Sequence, residues 1–182
     1  MIDITRDLLT TPPYPGDQGP SLHWVCRMPE DAYNASRLEC SVHAGTHMDA
    51  PLHFLPGGAD IASLSLDALM GDCLVLDADQ LTACHAGDVP PRLLLRGTPA
   101  LSGPRLAHLL SLSPVLVGTD TASVGSCEDE HTAHLALFAQ DVVIVENLDL
   151  SAVPDGLYKL VVLPVKLCGA EAAPCRAMLL PR

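Results

Sequence analysis

Aromatic side chains are scarce in this sequence. Trp24, Tyr14, Tyr33, Tyr158, Phe54 and Phe138 are the full set, 3% of 182 residues. The core is therefore expected to be aliphatic, and an aromatic beside a site has few substitutes. Positive charge is also thin: 10 Lys and Arg against 22 Asp and Glu give a formal charge of −12. Phosphate backbones are gripped by clustered cations, so no nucleic-acid partner is expected, and the same sign argues against anionic membrane surfaces. No apolar run reaches about 18 residues, so no membrane-spanning helix is expected. The opening residues Met1 to Arg6 place acid and base ahead of any apolar stretch, unlike a signal peptide. Seven cysteines, at 26, 40, 73, 84, 127, 168 and 175, include no Cys-x-x-Cys pair. They read as reduced and mostly buried small residues of a cytoplasmic protein.

What is present is enough apolar material, 48% of residues, to offset the ordering entropy of one compact core. Runs at 2–5, 22–26, 36–43, 72–78, 91–96, 114–118, 141–146 and 158–165 read as strands. In the third, Leu38, Cys40 and Val42 share a face expected to point inward. Leu74-Val75-Leu76, Leu93-Leu94-Leu95 and Val142-Val143-Ile144-Val145 are continuously apolar, as strands covered on both faces are. Helices are expected at 102–112, with Ser102 as N-cap and Pro104 in the first turn, and at 129–139; shorter helical pieces are expected near 61–70 and 80–85. Pro-rich stretches at 11–20 and 89–91 read as loops. The fold class is α/β, a single domain over 1–182 with a mixed, strongly twisted or barrel-like sheet flanked by a few helices.

The chemistry concentrates at residues 43–53. Eight histidines spread evenly would put about half of one in eleven residues; this window holds His43, His47 and His53, with Asp49 among them. Gly45 permits a sharp turn, and a helical turn would bring His47 to the same side as His43, with Asp49 closing a third side. Two imidazoles and a carboxylate with open positions suit Zn²⁺, Mn²⁺ or Fe²⁺. Pro51 would then redirect the chain and set His53 beside the ion. Further along, Glu146 ends an apolar strand, where an unpaired carboxylate is costly to bury. His134 lies on the preceding helix, with His131 as a competitor for the same role.

His43-x-Gly-Thr-His47-x-Asp49-x-Pro-x-His53 resembles the motif of the cyclase-type metal-dependent hydrolases, which include bacterial kynurenine formamidases and isatin hydrolase. Pro13-Tyr14-Pro15-Gly16-Asp17 is similar to that family's N-terminal Trp-Pro-Gly-Asp loop. Gly118-Thr119-Asp120-Thr121-Ala122-Ser123 resembles its Gly-x-Asp-x-x-Ser turn. His134, twelve residues before Glu146-Asn147-Leu148, and the segment Gly169 to Ala177 complete the match. The resemblance implies a swivelling β/β/α fold. It also implies a first ion on His43, His47 and Asp49, and a second shared by Asp49 with His134 and Glu146. His53 would be the acid/base residue, and His134 is preferred over His131. Tyr14 would hold the substrate where the family has Trp, and Asp120 and Ser123 would orient ligands or serve the turn. The expected cofactor is one or two Zn²⁺, with Mn²⁺ as the alternative. The expected partners are a small-molecule substrate and other copies of the chain in a homodimer or higher homo-oligomer.

The expected activity is hydrolysis of a small N-acyl or cyclic amide by metal-activated water. Alternatives are a cyclase or lyase reaction at the same ions, or a non-catalytic relative that binds metal or a small ligand. A serine or cysteine nucleophile is not expected: there is no Gly-x-Ser-x-Gly, and Cys40 sits on an apolar strand face.

Overall fold

Four strands with apolar centres lie side by side in the middle of the sheet. The computed structural model describes residues 1–97, 101–126 and 129–182. In it β1 is Ile2–Asp3, β2 Ser21–Cys26, β3 Ala35–Glu39, β4 His47–Asp49, β5 Met70–Asp77, β6 Arg92–Arg96, β7 Leu116–Thr119, β8 Val143–Glu146, β9 Gly156–Pro164 and β10 Ala172–Pro181. Helices are α1 (Leu66–Leu69), α2 (Gly103–Ser111) and α3 (Glu130–Phe138), with single 3₁₀ turns at Pro51–His53, Ile61–Ser63 and Ala78–Ala83. Strands β5, β6, β7 and β8 run parallel; β4, β9 and β10 are antiparallel to their neighbours. The order β10-β4-β8-β7-β6-β5-β9 closes because β9 also pairs with β10, so the sheet is a seven-stranded barrel with β1 added outside β10.

Strand alternation explains the two apolar compartments. Val75, Leu94, Leu116, Val143 and Val145 fill one side with Met48 and Leu160. Leu76, Leu93, Leu95, Val117 and Ile144 face the other way and are covered by Leu106 and Leu109 of α2 and Leu137 and Phe138 of α3. The barrel-like α/β architecture is thus the expected one.

Several local expectations are corrected. The segment 47–49 is a strand, not part of a helical turn, because it is hydrogen-bonded on both sides, to β10 and to β8. Pro51 therefore opens a 3₁₀ turn and ends no helix. The run at 36–43 stops at Glu39 and pairs only with β2 in a separate two-stranded hairpin. Its Leu38 is exposed and Cys40 and Val42 are partly so; they form no inward face. Ser102 occupies the N-cap of α2 with Pro104 behind it, but its hydroxyl makes no capping bond. Among the described residues six cysteines are free, and only Cys73 and Cys175 are buried; Cys127 lies outside the described residues. Burial pushes both buried thiols up to about 12, which keeps them protonated and unreactive. No helix among the described residues is long and apolar enough to cross a membrane.

Candidate metal centre and its cavity

The barrel wall places the donors by register. In β4, His47 and Asp49 are two residues apart and so share a face, while Met48 between them points into the core. His47 stands opposite Glu146, the last residue of β8. Gly45, at φ +63, makes the turn that leads into β4, a conformation that a side chain would strain. This turn leaves His43 beside Asp49, its Nδ1 3.0 Å from Asp49 Oδ1. On α3 the face toward the barrel carries Ala133, His134, Leu137 and Phe138. His134 is therefore buried and His131 exposed.

The four groups meet at short range. His47 Nε2 is 3.6 Å from Asp49 Oδ1 and 3.4 Å from Glu146 Oε2. His134 Nε2 is 3.5 Å from Asp49 Oδ2 and 3.4 Å from Glu146 Oε1. The opposite ring nitrogens are tethered, Nδ1–H of His47 donating to the Gly45 carbonyl (3.0 Å) and Nδ1–H of His134 to the Glu130 carbonyl (2.8 Å). Such bonds fix the tautomer that leaves Nε2 free to bind an ion. Glu146 Oε1 also accepts the Val124 N–H at 2.8 Å.

The donor chemistry fits a divalent ion. Both Asp49 carboxylate oxygens and His134 Nε2 are buried without a hydrogen bond and are held only by imidazole–carboxylate contacts of 3.0 to 3.6 Å, donors that a shared divalent ion would satisfy. Two donor groups of ligand-like spacing share Asp49: His47, Asp49 and Glu146, and His43, Asp49 and His53. The second brings His53 closer to His43 and Asp49 than the resemblance alone implies. Electrostatics agree. Burial lowers the His47 pKa, but Asp49 and then Glu146 outweigh it and hold the group up to about 9. His134, against the same burial, is held up to about 10 by both carboxylates. Burial raises Asp49, yet the imidazoles around it, His47 foremost, drive it far below the usual carboxylate range. For His53, half-buried beside His43 (ring centroids 4.4 Å), burial pushes the pKa down.

A cavity of about 250 Å³ opens onto this cluster, bounded by His43, His47, His53 and Glu146 and walled by Tyr14, Asp17, Phe54 and Glu130. The Pro-rich loop 11–20 thus reaches its own chain's site. Tyr14 lines it, and its hydroxyl donates to Glu130 Oε2 at 2.8 Å. Asp120 accepts the Gly97 N–H, and Ser123 Oγ accepts the Gly125 N–H, bonds that serve the turn. The turn also reaches the cluster through its backbone, by the Val124 N–H on Glu146. A wider hollow of about 540 Å³ beside β1 and β10 contains none of the cluster's donors.

Three residues escaped the sequence reading. Phe54 stacks on His134 (4.7 Å, 28°) and meets His53 edge-on (4.3 Å). Glu130 lies one helical turn before His134, and Glu171 stands 3.6 Å from His43 Nε2. The signals were there: Phe54 follows His53 directly, and Glu130 is at the i−4 position of His134.

Residues 2–91 match the Cyclase family model. A kynurenine formamidase of Erythrobacter litoralis is 36% identical over 198 aligned residues, covering 97% of this chain and 92% of its own length. The chain belongs to the cyclase family. A solved structure described as a potential metal-dependent hydrolase with cyclase activity overlays this cyclase-family chain with a TM-score of 0.80 at 28% identity, covering 100% and 97% of the two chains. An isatin hydrolase bound to the product analogue thioisatinate, 19% identical, shares the fold with a TM-score of 0.79, covering 100% of this chain and 92% of its own.

Proposed function

We propose that the protein is a metal-dependent hydrolase cleaving the amide C–N bond of a small N-formyl aryl amine or related acylamide. The observation that carries this is the set of buried atoms of Asp49 and His134 that make no hydrogen bond, which lie at the cluster bordering the cavity. The kinship with kynurenine formamidases supports the choice of bond.

His43, His47 and Asp49, and Asp49 with His134 and Glu146, are the donors we assign to one or two ions, Zn²⁺ or alternatively Mn²⁺. A divalent ion bound there supplies Lewis-acid polarisation of a carbonyl and acidifies water near neutral pH. The chain's own residues do the rest. His53, kept neutral by burial, takes the proton from the attacking water and returns it to the departing nitrogen, so that the C–N bond breaks to acid and amine. Phe54 and Tyr14 offer flat apolar walls on which an aryl ring can rest.

Elemental analysis of protein purified without added metal or chelator, with His47→Ala alongside, tests the assignment. One or two equivalents of Zn or Mn in the native protein, lost in the variant, together with turnover of N-formylaniline, are expected. No metal, and no binding on adding Zn or Mn, would overturn it. A second reading, cyclisation or dehydration of a carbonyl compound at the same ions, draws on the described cyclase activity of the 28% identical structure. We also propose a homodimer or higher homo-oligomer in the cytoplasm. The outward apolar residues of the β2–β3 hairpin, Trp24 (53% exposed) and Val25 (63%) among them, support self-association, and the six free cysteines support a reducing compartment.

A further inference from the structure

Away from the donor cluster, the described cavity walls are charged by carboxylates alone. Among the described residues no Lys or Arg lines the cavity, whereas Asp17 and Glu130 do. Neither belongs to the donor groups around Asp49, so an ion held by those groups leaves both charges in place. Glu130 is half-buried, and its carboxylate is anchored by the Tyr14 hydroxyl at 2.8 Å. One accepted bond still leaves a carboxylate free to receive further donors. Asp17, on the exposed loop, adds a weaker and more screened charge at the mouth. Beneath these walls lie the buried atoms of Asp49 and His134 that make no hydrogen bond, at the cluster to which the amide-hydrolase reading assigns the cleavage.

We propose that Glu130, assisted by Asp17, makes this cavity select an acylamide that carries a cationic group away from the scissile bond and reject one that carries a carboxylate there. The proposal rests on the amide-hydrolase reading. A guest ammonium meets Glu130 in a partly desolvated setting, where opposite charges attract far more strongly than in water. A guest carboxylate held away from the donor cluster gives up its hydration and finds no Lys or Arg among the described wall residues. The reaction adds water across the C–N bond and releases a carboxylic acid, which ionises at neutral pH.

Three N-formylanilides of similar size test this, bearing a meta aminomethyl, hydroxymethyl or carboxylate group. Their kcat/KM values are measured with the Zn-loaded protein at pH 7.5 and low salt. The ammonium compound is expected to exceed the carboxylate compound by about tenfold or more, a gap that narrows in 0.5 M NaCl as screening grows. Glu130→Gln keeps an acceptor for Tyr14 and should bring the three rates to within about threefold; Asp17→Asn, on an exposed loop, should narrow them less. Equal rates for the three in the native protein, or an unchanged order in Glu130→Gln, overturn the inference while leaving the hydrolase reading intact. Turnover of none of them overturns both.

Discussion

His47, Asp49, His134 and Glu146 have side chains only 1–5% exposed, whereas His43 is 20% exposed and Glu171 41%. The inner four are set by the barrel itself: two on β4, one on β8, one on α3, with both inner imidazoles tied to backbone carbonyls. Backbone partners survive any side-chain substitution, so inner geometry is as fixed as the sheet. The outer group, with His53, hangs on a turn and a 3₁₀ segment and is oriented by side chains. The first kind of construction suits the fixed core of an ion site, and the second suits His43 at its edge and a proton-passing His53 beside it.

The largest test of this contrast is Asp49→Asn. Asp49 faces all three imidazoles of the cluster, His43, His47 and His134. Changes to the partners of metal ligands already cost about 10–100-fold. Replacing the shared carboxylate should therefore remove both bound metal and measurable turnover. Retained metal with full activity would mean that the inner group is a structural ion-pair network. His53→Ala should behave oppositely: metal content unchanged by elemental analysis, and kcat reduced by about 10²–10⁴-fold, with partial rescue by added imidazole. Loss of metal in that variant would place His53 among the donors, as its spacing to His43 and Asp49 permits.

Acidity separates the halves more gently. Without an ion, His47 and His134 are protonated at neutral pH, since their carboxylates hold them up to about 9 and about 10. Their folded values lie above the ordinary 6.5, so the stability that these protons contribute is complete below pH 6.5. It is lost as pH rises through 9 to 10. The ion-free protein should thus melt at lower temperature as pH climbs across that window, while the gain in Tm on adding Zn grows. Titration calorimetry at pH 7.5 in two buffers should show release of up to about two protons per bound ion. A flat Tm and no proton release would mean that both imidazoles are already neutral.

The same division governs what could be read from the residues alone. The apolar centres of strands β5 to β8 were plain, because burial on both faces leaves a pattern no loop produces. His134 was separable from His131 only by resemblance, since the helix face that meets the barrel is a tertiary fact. β4 was illegible as a strand: His-Met-Asp has little intrinsic strand preference and exists as one by pairing with two neighbours at once. β10 was missed for the same reason, with alanines, two prolines and an arginine held in place by β1, β4 and β9. In the hairpin, alternation promised an inward face where no second layer covers it.

The smallest effect expected lies at the rim. Glu171 faces His43 Nε2 from 3.6 Å, too far for a hydrogen bond, and its side chain is 41% exposed. It stands where an orienting carboxylate would stand, yet solvent screens it, and His43 also has Asp49 at 3.0 Å. Glu171→Gln should therefore weaken Zn binding by less than about tenfold, below the usual cost of losing an orienting partner of a metal-bound imidazole. Chelator competition, read on the native protein and the variant, measures this without any substrate. A loss of a hundredfold would show that Glu171 closes on His43 when the ion binds, and the outer half would then share the fixed geometry of the inner one.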